Sequence, residues 1–361
     1  MSEQTTYIGM DLGTLKTSVV SSCGRRHVMD SAVGRPKDVI AQAMLRADVV
    51  WGDKIREHRR ALEVIRPFAK ATLKFVAADT AGLDDRSLEN CQWAAEQLVR
   101  HAIESTNPPQ DSLVWGVVGI PSRAGQISKQ FIMDVVGRHL DKVLVIHEPF
   151  AVAYGMGALD QTLVIDIGAG TIDICPMYGT YTAEEDQQTI LMGGDYIDDQ
   201  IIAATRERFP SVEMSDFQAR RIKERYGSLL ESRIPAHVEL IVDGGPQQID
   251  LTDIVANACG SIVSPIVEGI MEVTNRFEAQ LRRRLLENIV LAGGGSQLVG
   301  LEQAIEQGVS ERSSGERNAC SVTRVADCVF AGAAGALKLA MDMPREQWDR
   351  IPWGKSQRQA A

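Results

Sequence analysis

Short apolar runs alternate with longer mixed stretches along most of this chain. In the stretches 87–104 and 126–139, apolar residues recur three and four positions apart, which is the spacing of an amphipathic helix. Strands that alternate with helices in this way predict a layered α/β fold. The apolar runs that predict the β-strands lie at 7–10, 113–120, 143–146, 162–167 and 289–292.

Two segments interrupt this alternation and are interpreted as inserts. Residues 32–77 are charged and less regularly patterned, and residues 191–250 are rich in charge and helix formers. The second insert ends in H-V-E-L-I-V-D-G-G-P-Q-Q-I-D-L, where Asp243-Gly244 is typical of a β-hairpin turn. Near the end of the chain, the small residues of 330–341 predict a helix that packs closely against its neighbours.

A chain of 361 residues is too long for one small domain and suits two. We expect the first domain at 1–155, with its insert at 32–77, and the second at 156–329, with its insert at 191–250. The last segment, 330–361, is expected to return to the first domain.

One short motif occurs twice, as I-G-M-D-L-G-T at 8–14 and V-I-D-I-G-A-G-T-I-D at 164–173. Each copy predicts a strand that ends in an aspartate and turns on glycines. Such turns offer backbone N–H groups to phosphate oxygens, and an acid at the strand end can hold Mg²⁺ through water. A single copy would equally suit a plain hairpin, whereas two copies favour phosphate binding. The turn residues are Gly13 and Thr14 in the first copy, and Gly168, Gly170 and Thr171 in the second.

Charge and cysteine usage exclude several other classes of protein. The net charge of −10 argues against a nucleic-acid-binding face. The six cysteines form no C-x-x-C pair, so neither a zinc site nor a disulfide framework is indicated. No signal peptide, N-terminal amphipathic helix or apolar run near twenty residues is evident. We therefore expect a cytoplasmic protein without direct membrane insertion.

Four further motifs accompany the two glycine turns. In H-E-P-F-A-V-A-Y-G at 147–155, Glu148 follows a strand and Pro149 begins a helix, where an acid also favours the helix dipole. N-I-V-L-A-G-G-G-S at 288–296 places three glycines after a buried strand. The other two motifs are M-G-G-D-Y-I-D at 192–198 and A-R-R-I-K-E-R-Y at 219–226, of which the latter also suits an exposed charged helix.

Together these motifs resemble those of the actin, Hsp70 and sugar-kinase superfamily, over nearly the whole chain. The resemblance implies an actin-like ATPase fold with two RNase H-like domains, divided into four subdomains (IA, IB, IIA and IIB) around a nucleotide cleft. Asp11 and Asp166 would face each other across that cleft and hold Mg²⁺. The implied ligands are ATP and ADP with Mg²⁺.

By the same resemblance, Glu148 orients the water that attacks the γ-phosphate, and Thr171 and Asp166 assist, with Asp173 as a further candidate. Lys16 departs from the family pattern and either reaches the phosphates or is a solvated loop lysine. Gly193, Gly194 and Asp195 are assigned to the ribose side or the hinge. The implied nucleotide-binding residues are Asp11, Gly13, Thr14, Lys16, Gly168, Gly170, Thr171, Gly194, Asp195, Arg220, Lys223, Glu224, Gly294, Gly295 and Ser296.

Within the superfamily, the chain is similar to bacterial actins and most similar to the MamK family. S-A-V-G-R-P-K-D-V-I at 31–40, V-V-W-G-D at 49–53 and P-R-E-Q-W-D-R at 344–350 carry this resemblance. It implies a cytoskeletal ATPase that polymerises with itself and positions magnetosomes, with an adaptor protein as partner. Two alternatives stay open: another bacterial actin, MreB-like for cell shape or ParM-like for plasmid segregation, and a monomeric sugar-kinase-like phosphotransferase.

Overall fold

The computed structural model describes residues 4–68, 85–122, 126–232, 234–312 and 320–351. The chain divides into two compact units. Unit 1 comprises Met1–Gly157 and Val329–Ala361, and unit 2 comprises Ala158–Cys328. Part of the insert expected at 32–77 lies beyond Phe68 and therefore outside the described residues.

Strands and helices alternate as the sequence pattern predicts, and the α/β class is confirmed. The strands are β1 Thr5–Leu12, β2 Lys16–Ser21, β3 Arg26–Asp30, β4 Val33–Pro36, β5 Leu62–Ile65, β6 Leu113–Ile120, β7 Lys142–His147, β8 Asp160–Ile167, β9 Ile172–Tyr178, β10 Gln188–Ile190, β11 Val212–Glu213, β12 His237–Val242, β13 Gly245–Asp250, β14 Ile289–Ala292 and β15 Val322–Arg324.

The helices include one that contains the amphipathic stretch 87–104. They are α1 Val39–Leu45, α2 Asp53–Glu57, α3 Asp85–Ser105, α4 Gln126–Val136, α5 Glu148–Met156, α6 Gly194–Arg208, α7 Asp216–Tyr226, α8 Thr252–Gly260, α9 Val263–Thr274, α10 Ala279–Glu287, α11 Leu301–Arg312, α12 Ala331–Asp342 and α13 Arg345–Asp349. The helix predicted over 126–139 ends early, at Val136, because Gly137 follows it.

Each unit contains a five-stranded sheet of the same topology. In unit 1 the strand order is β3-β2-β1-β6-β7, and in unit 2 it is β10-β9-β8-β14-β15. The first three strands of each order pair antiparallel, and the remaining two run parallel to the central strand. The repeated motif in the sequence therefore corresponds to a repeated sheet.

Smaller sheets lie within the two predicted inserts. Strands β4 and β5 pair antiparallel in unit 1, and β11, β12 and β13 form a three-stranded sheet in unit 2. The turn between β12 and β13 has positive φ at both central residues, 52° at Asp243 and 77° at Gly244. The predicted hairpin is confirmed, because a two-residue turn of this kind matches the twist of its strands.

The sheet of unit 1 is covered on both faces. Side chains of α3 and α4 form one apolar layer with β1 and β6, and α12 and α13 supply the other. The predicted small-residue helix is α12. A Cβ on Gly335 would overlap the carbonyl oxygen of Ala151 in α5, and one on Gly9 would overlap that of Ala333. Small residues let these backbones approach, and this contact places α5 and its first residue, Glu148, beside the sheet.

One stretch departs from the expectation that no apolar segment approaches membrane-spanning length. Among the described residues, Thr252–Thr274, which contains α8 and α9, is long and apolar enough for a membrane span by length and composition alone. Its side chains include Val255, Ile266 and Ile270, which are at most 1% exposed in the core of unit 2. The sequence estimate missed this stretch because charged and polar residues interrupt the run.

Candidate functional site

The first glycine turn connects β1 to β2 at the carboxyl end of β1. Across this hairpin, Asp11 pairs with Ser18 and Leu12 pairs with Thr17, so residues 13–15 form the turn. A Cβ on Gly13 would overlap the carbonyl oxygen of Lys16, so the turn has no space for a side chain at this position. The backbone of the turn is therefore the part that a ligand can approach closely.

The buried hydroxyl groups of Ser31 and Thr17 hold this turn in place. The Ser31 hydroxyl donates to the carbonyl oxygen of Gly13 at 2.7 Å, and its backbone N–H donates to that of Leu15 at 2.8 Å. Since the Ser31 proton is used on Gly13, the Thr17 hydroxyl, 2.9 Å away, donates to Ser31. Sequence reasoning missed Ser31, because an isolated serine before a strand carries no signal of such a contact.

An acid, a glycine and a second acid lie at the carboxyl ends of three neighbouring strands in unit 1. Asp11 of β1 is in register with Gly119 of β6, and Ile120 is in register with His147 of β7. Glu148 follows immediately as the first residue of α5. The position of a Cβ on Gly119 is 3.1 Å from Cγ of Glu148. Gly119, which the sequence reasoning also missed, thus leaves space for the Glu148 side chain.

The remaining predicted residues of unit 1 lie close to these groups in the chain. Oδ2 of Asp11 is 3.1 Å from where a Cβ on Gly332 of α12 would be, so α12 limits the movement of that carboxylate. Thr14 in the turn is partly exposed, and Lys16 is exposed at the start of β2. An exposed ammonium at this point suits both alternatives that the sequence left open for Lys16.

The second glycine turn connects β8 to β9 in unit 2. Asp166 pairs with Asp173 and Ile167 pairs with Ile172, which leaves residues 168–171 as a connecting loop, here called the phosphate loop after the role that the sequence predicts for it. The N–H of Gly168 closes this loop by donating to the carbonyl oxygen of Thr171 at 2.8 Å.

A buried carboxylate orients the threonine of the phosphate loop. The Thr171 hydroxyl donates to Oδ2 of Asp173 at 3.1 Å, and the Thr189 hydroxyl of β10 donates to Oδ1 at 2.5 Å. Asp173 is only 1% exposed. Because the proton of Thr171 is directed at Asp173, the lone pairs of its oxygen stay available to accept a hydrogen bond from water.

The start of α6 is attached to the same loop through backbone hydrogen bonds. The N–H of Gly194 donates to the carbonyl oxygen of Gly168 at 3.0 Å, and the N–H of Asp195 donates to that of Ala169 at 2.8 Å. The position of a Cβ on Gly193 is 2.5 Å from the Ala169 carbonyl oxygen. The M-G-G-D motif therefore fits α6 closely against the phosphate loop.

Four charged side chains meet between α6 and α7, and we call them the α6–α7 charge cluster: Asp195, Asp198, Arg220 and Lys223. Arg220 lies 3.1 Å from Asp195 and 3.4 Å from Asp198, and Nζ of Lys223 lies 2.8 Å from Oδ1 of Asp198. Burial raises the pKa of Asp198, and the nearby Lys223 and Arg220 oppose that shift.

Sequence reasoning missed Asp198, although it is the last residue of the M-G-G-D-Y-I-D motif. Glu224, the other predicted residue of α7, is exposed and is not part of the α6–α7 charge cluster.

The glycine-rich segment after β14 lies beside the carboxyl end of β8. Ala292 is in register with Asp166, and the next residue, Gly293, has a φ of 76°. A Cβ on Gly293 would overlap Oδ1 of Asp166, so glycine is required there for both conformation and space.

The other two glycines and the serine of this segment differ in their surroundings. A Cβ on Gly295 would overlap the Ile167 side chain, whereas nothing lies within 4 Å of one on Gly294. Gly294 therefore presents open backbone. The Ser296 hydroxyl is fully buried and donates to the Gly293 carbonyl oxygen at 2.7 Å. In this arrangement its side chain holds the turn, and its predicted contact with nucleotide stays a prediction.

These features fit the groups that the resemblance implies. Each unit places a partly exposed aspartate, Asp11 or Asp166, at a strand end beside a tight turn whose backbone is approachable. Such an arrangement suits Mg²⁺ held through water and phosphate held by backbone N–H groups. Within the described ranges, no group of three or more His, Cys, Asp or Glu residues is placed to hold a metal ion directly.

Comparison with known proteins points to the same superfamily. A model of the MreB/Mbl protein family matches residues 83–341, well over half of the chain. The chain is 34% identical over 345 residues to the actin-like protein MamK of Paramagnetospirillum magneticum, covering 96% of this chain and 95% of that protein. It is 33% identical over 345 residues to the MamK of Magnetospirillum gryphiswaldense, covering 96% and 91%.

Solved structures agree with the sequence comparison. A MamK double helical filament has a TM-score of 0.86 at 33% identity, covering 94% of this chain and 100% of that chain. A non-polymerising MamK mutant bound to AMPPNP has a TM-score of 0.70 at 33% identity, with the same coverage. The predicted actin-like fold is thereby confirmed.

Proposed function

Since the chain belongs to the MreB/Mbl family, among the actin-like MamK proteins, we propose that it is a cytoskeletal ATPase. In this proposal it binds ATP with Mg²⁺, assembles with copies of itself into filaments, and hydrolyses ATP to turn the filaments over. Its cellular role would be to position or align magnetosomes, through an adaptor protein, in the cytoplasm.

The repeated sheet carries the nucleotide part of this proposal. Both units place an aspartate and a glycine turn at the same point of the same five-stranded topology. The structural similarity of this chain to a MamK mutant bound to AMPPNP supports an adenine nucleotide as ligand. Asp11 and Asp166 would hold Mg²⁺ through water, and the metal when bound neutralises phosphate charge.

Glu148 is the residue that we assign to water activation. It is partly exposed at the carboxyl edge of the unit 1 sheet, and Gly119 leaves space for its side chain. A carboxylate accepts hydrogen bonds from water and can take up a proton, which is the role that hydrolysis requires. Thr171 would accept a further hydrogen bond from water, because Asp173 takes the proton of its hydroxyl.

Filament formation is supported by the relatives rather than by a surface of this chain. The MamK structure with a TM-score of 0.86 is a double helical filament. A filament requires contact between two different surfaces of successive copies, since such a contact does not close on itself.

Sedimentation and negative-stain imaging of the purified protein test this proposal, with Mg-ATP, with Mg-ADP and without nucleotide. We expect filaments with Mg-ATP and release of inorganic phosphate. A protein that stays soluble in every condition but phosphorylates a small molecule would overturn the filament proposal and favour the phosphotransferase alternative.

The variant Glu148→Gln tests the assigned catalytic role. It keeps the volume of the side chain and removes its charge, so filaments should form while phosphate release falls about 10²-fold or more. Glu104→Gln is the matched control, since Glu104 is 64% exposed on α3 and should behave as the wild type. Phosphate release by Glu148→Gln at the wild-type rate would contradict the assignment.

A further inference from the structure

The α6–α7 charge cluster has a connection that ordinary helix packing does not require. Its two cations, Arg220 and Lys223, balance its two carboxylates, Asp195 and Asp198, and the Asp198 side chain is only 3% exposed. A buried ion pair contributes little net stability, because the loss of hydration offsets the attraction. Apolar residues of the same helices are already buried, including Ile197, Ile201, Ala219 and Ile222.

Lys223 connects the cluster to the backbone at the start of α6. Besides lying 2.8 Å from Asp198, its ammonium donates to the carbonyl oxygen of Gly194 at 2.6 Å. Gly194 in turn donates its N–H to Gly168 of the phosphate loop. A continuous series of contacts therefore leads from Asp198, through Lys223 and Gly194, to the phosphate loop.

The position of the Lys223 ammonium depends on its anionic partner. A lysine side chain is long and flexible, and its charge strongly favours water over a protein interior. Lys223 is 15% exposed, so water is close enough to compete for it. Without the carboxylate of Asp198, the ammonium would gain hydration by turning outward and would leave the Gly194 carbonyl.

We propose that Asp198 is a positioning residue, which holds Lys223 on the Gly194 carbonyl and thereby sets the conformation of the phosphate loop at 168–171. The functional part of this inference rests on the proposed function, in which that loop binds nucleotide phosphate. Asp198 itself need not touch the nucleotide, because it acts through Lys223.

Hydrogen exchange of the nucleotide-free protein tests the structural link directly. In Asp198→Asn, the amides of Gly194 and Asp195 should exchange about tenfold faster, since their bonds to the loop loosen. Exchange in α9 and α11 should stay unchanged. The control Glu268→Gln removes the 3.0 Å ion pair of Glu268 with Arg312 in the same unit and should leave residues 168–171 and 194–195 unaffected.

A double-mutant cycle with Lys223→Gln tests whether Asp198 acts through Lys223. If Asp198 acts through Lys223, then Asp198→Asn should have little further effect on exchange once Lys223 is replaced. Additive effects, or faster exchange spread evenly over unit 2, would overturn the inference and indicate a general structural role. Should Asp198→Asn fail to fold, Lys223→Gln alone probes the same link, and unchanged exchange at 194–195 would overturn it.

Titration with a fluorescent ATP analogue separates this inference from the proposed function. We expect Asp198→Asn to bind the analogue about tenfold more weakly than the wild type does. A wild type that binds no ATP would refute the proposed function while the exchange result stands. A variant that binds ATP as tightly as the wild type would refute the inference alone.

Discussion

The glycine turn of unit 1 and that of unit 2 close the same hairpin but are supported by different chemistry. In unit 1, the neutral hydroxyls of Ser31 and Thr17 hold the turn. In unit 2, the buried carboxylate of Asp173 and the first residues of α6 hold it. The two units therefore share the topology of the sheet, but different residues support the glycine turn in each.

The two supports nevertheless have one property in common, because each connects its turn to the insert of its own unit. Ser31 lies two residues before the start of β4, the first strand of the small sheet in the unit 1 insert. Helix α6 opens the insert of unit 2 and leads to α7. Each turn is thus mechanically coupled to the start of its insert, by hydroxyl groups in unit 1 and by backbone and charged groups in unit 2.

The aspartates of the two turns also differ in the glycine that lies against them. Gly332, beside Asp11, is helical, and a Cβ there would lie a tight 3.1 Å from Oδ2 of the carboxylate. Gly293, beside Asp166, has a positive φ and no space for a side chain. Unit 2 therefore tolerates less change next to its acid than unit 1 does.

The largest effect that we expect in this comparison follows from substitution of those two glycines. Gly293→Ala places a side chain on a residue in the left-handed conformation, where its Cβ would overlap Asp166. The free energy of unfolding should therefore fall by about 2–4 kcal/mol. Gly332→Ala gains helix propensity and loses some of it to crowding against Asp11, so its effect should stay within about 1 kcal/mol. Urea denaturation followed by circular dichroism measures both, and equal losses would contradict the difference between the two glycines.

A smaller effect is expected from the side chains that support the turns. Asp173→Ala removes the acceptor of both Thr171 and Thr189, which should destabilise unit 2 by about 2–3 kcal/mol and slow the ATP hydrolysis that we propose. Ser31→Ala removes hydrogen bonds between neutral groups and should cost about 1 kcal/mol. If Ser31→Ala proved the more damaging change, the carboxylate support would not be the stronger of the two.

The two units can be followed separately in these experiments. The tryptophans among the described residues all lie in unit 1, namely Trp51, Trp93, Trp115 and Trp348, and the sequence of unit 2 contains none. Intrinsic fluorescence therefore reports on unit 1, and Tyr or thiol signals are needed for unit 2. A fluorescence transition that shifts in Ser31→Ala and stays unchanged in Asp173→Ala would show that the supports act locally.

The smallest effect that we expect is a difference in the reactivity of the cysteine thiols, measured on the unchanged protein. Burial raises the pKa of Cys175 to about 12 and that of Cys259 to about 11, so at pH 8 almost no thiolate is present in the core of unit 2. Cys23 of unit 1 is exposed. Iodoacetamide at pH 8 should therefore modify Cys23 first and the buried Cys175 and Cys259 last, as peptide mass spectrometry would show. Early modification of Cys175 would indicate that unit 2 opens readily.

Local sequence patterns were sufficient to predict many of the strands, turns and helices of this molecule. The strands that carry Asp11 and Asp166, the β12–β13 hairpin and the small-residue helix α12 all follow from residues close together in the chain. Their signals are short in range: apolar alternation, glycine turns and a Glu-Pro pair that begins a helix. Resemblance of these motifs to actins then implied the fold, which the comparisons confirmed.

Only the tertiary structure identified the residues that act through others. Ser31, Gly119 and Asp198 received no role from the sequence, although Asp198 ends a recognised motif, and each becomes informative through a contact with a distant part of the chain. Asp198 meets Lys223 because two helices pack together, and no local pattern specifies which side chains will then face each other. Residues close together in the chain specify which turns it makes, whereas the packing of separate elements specifies what supports those turns.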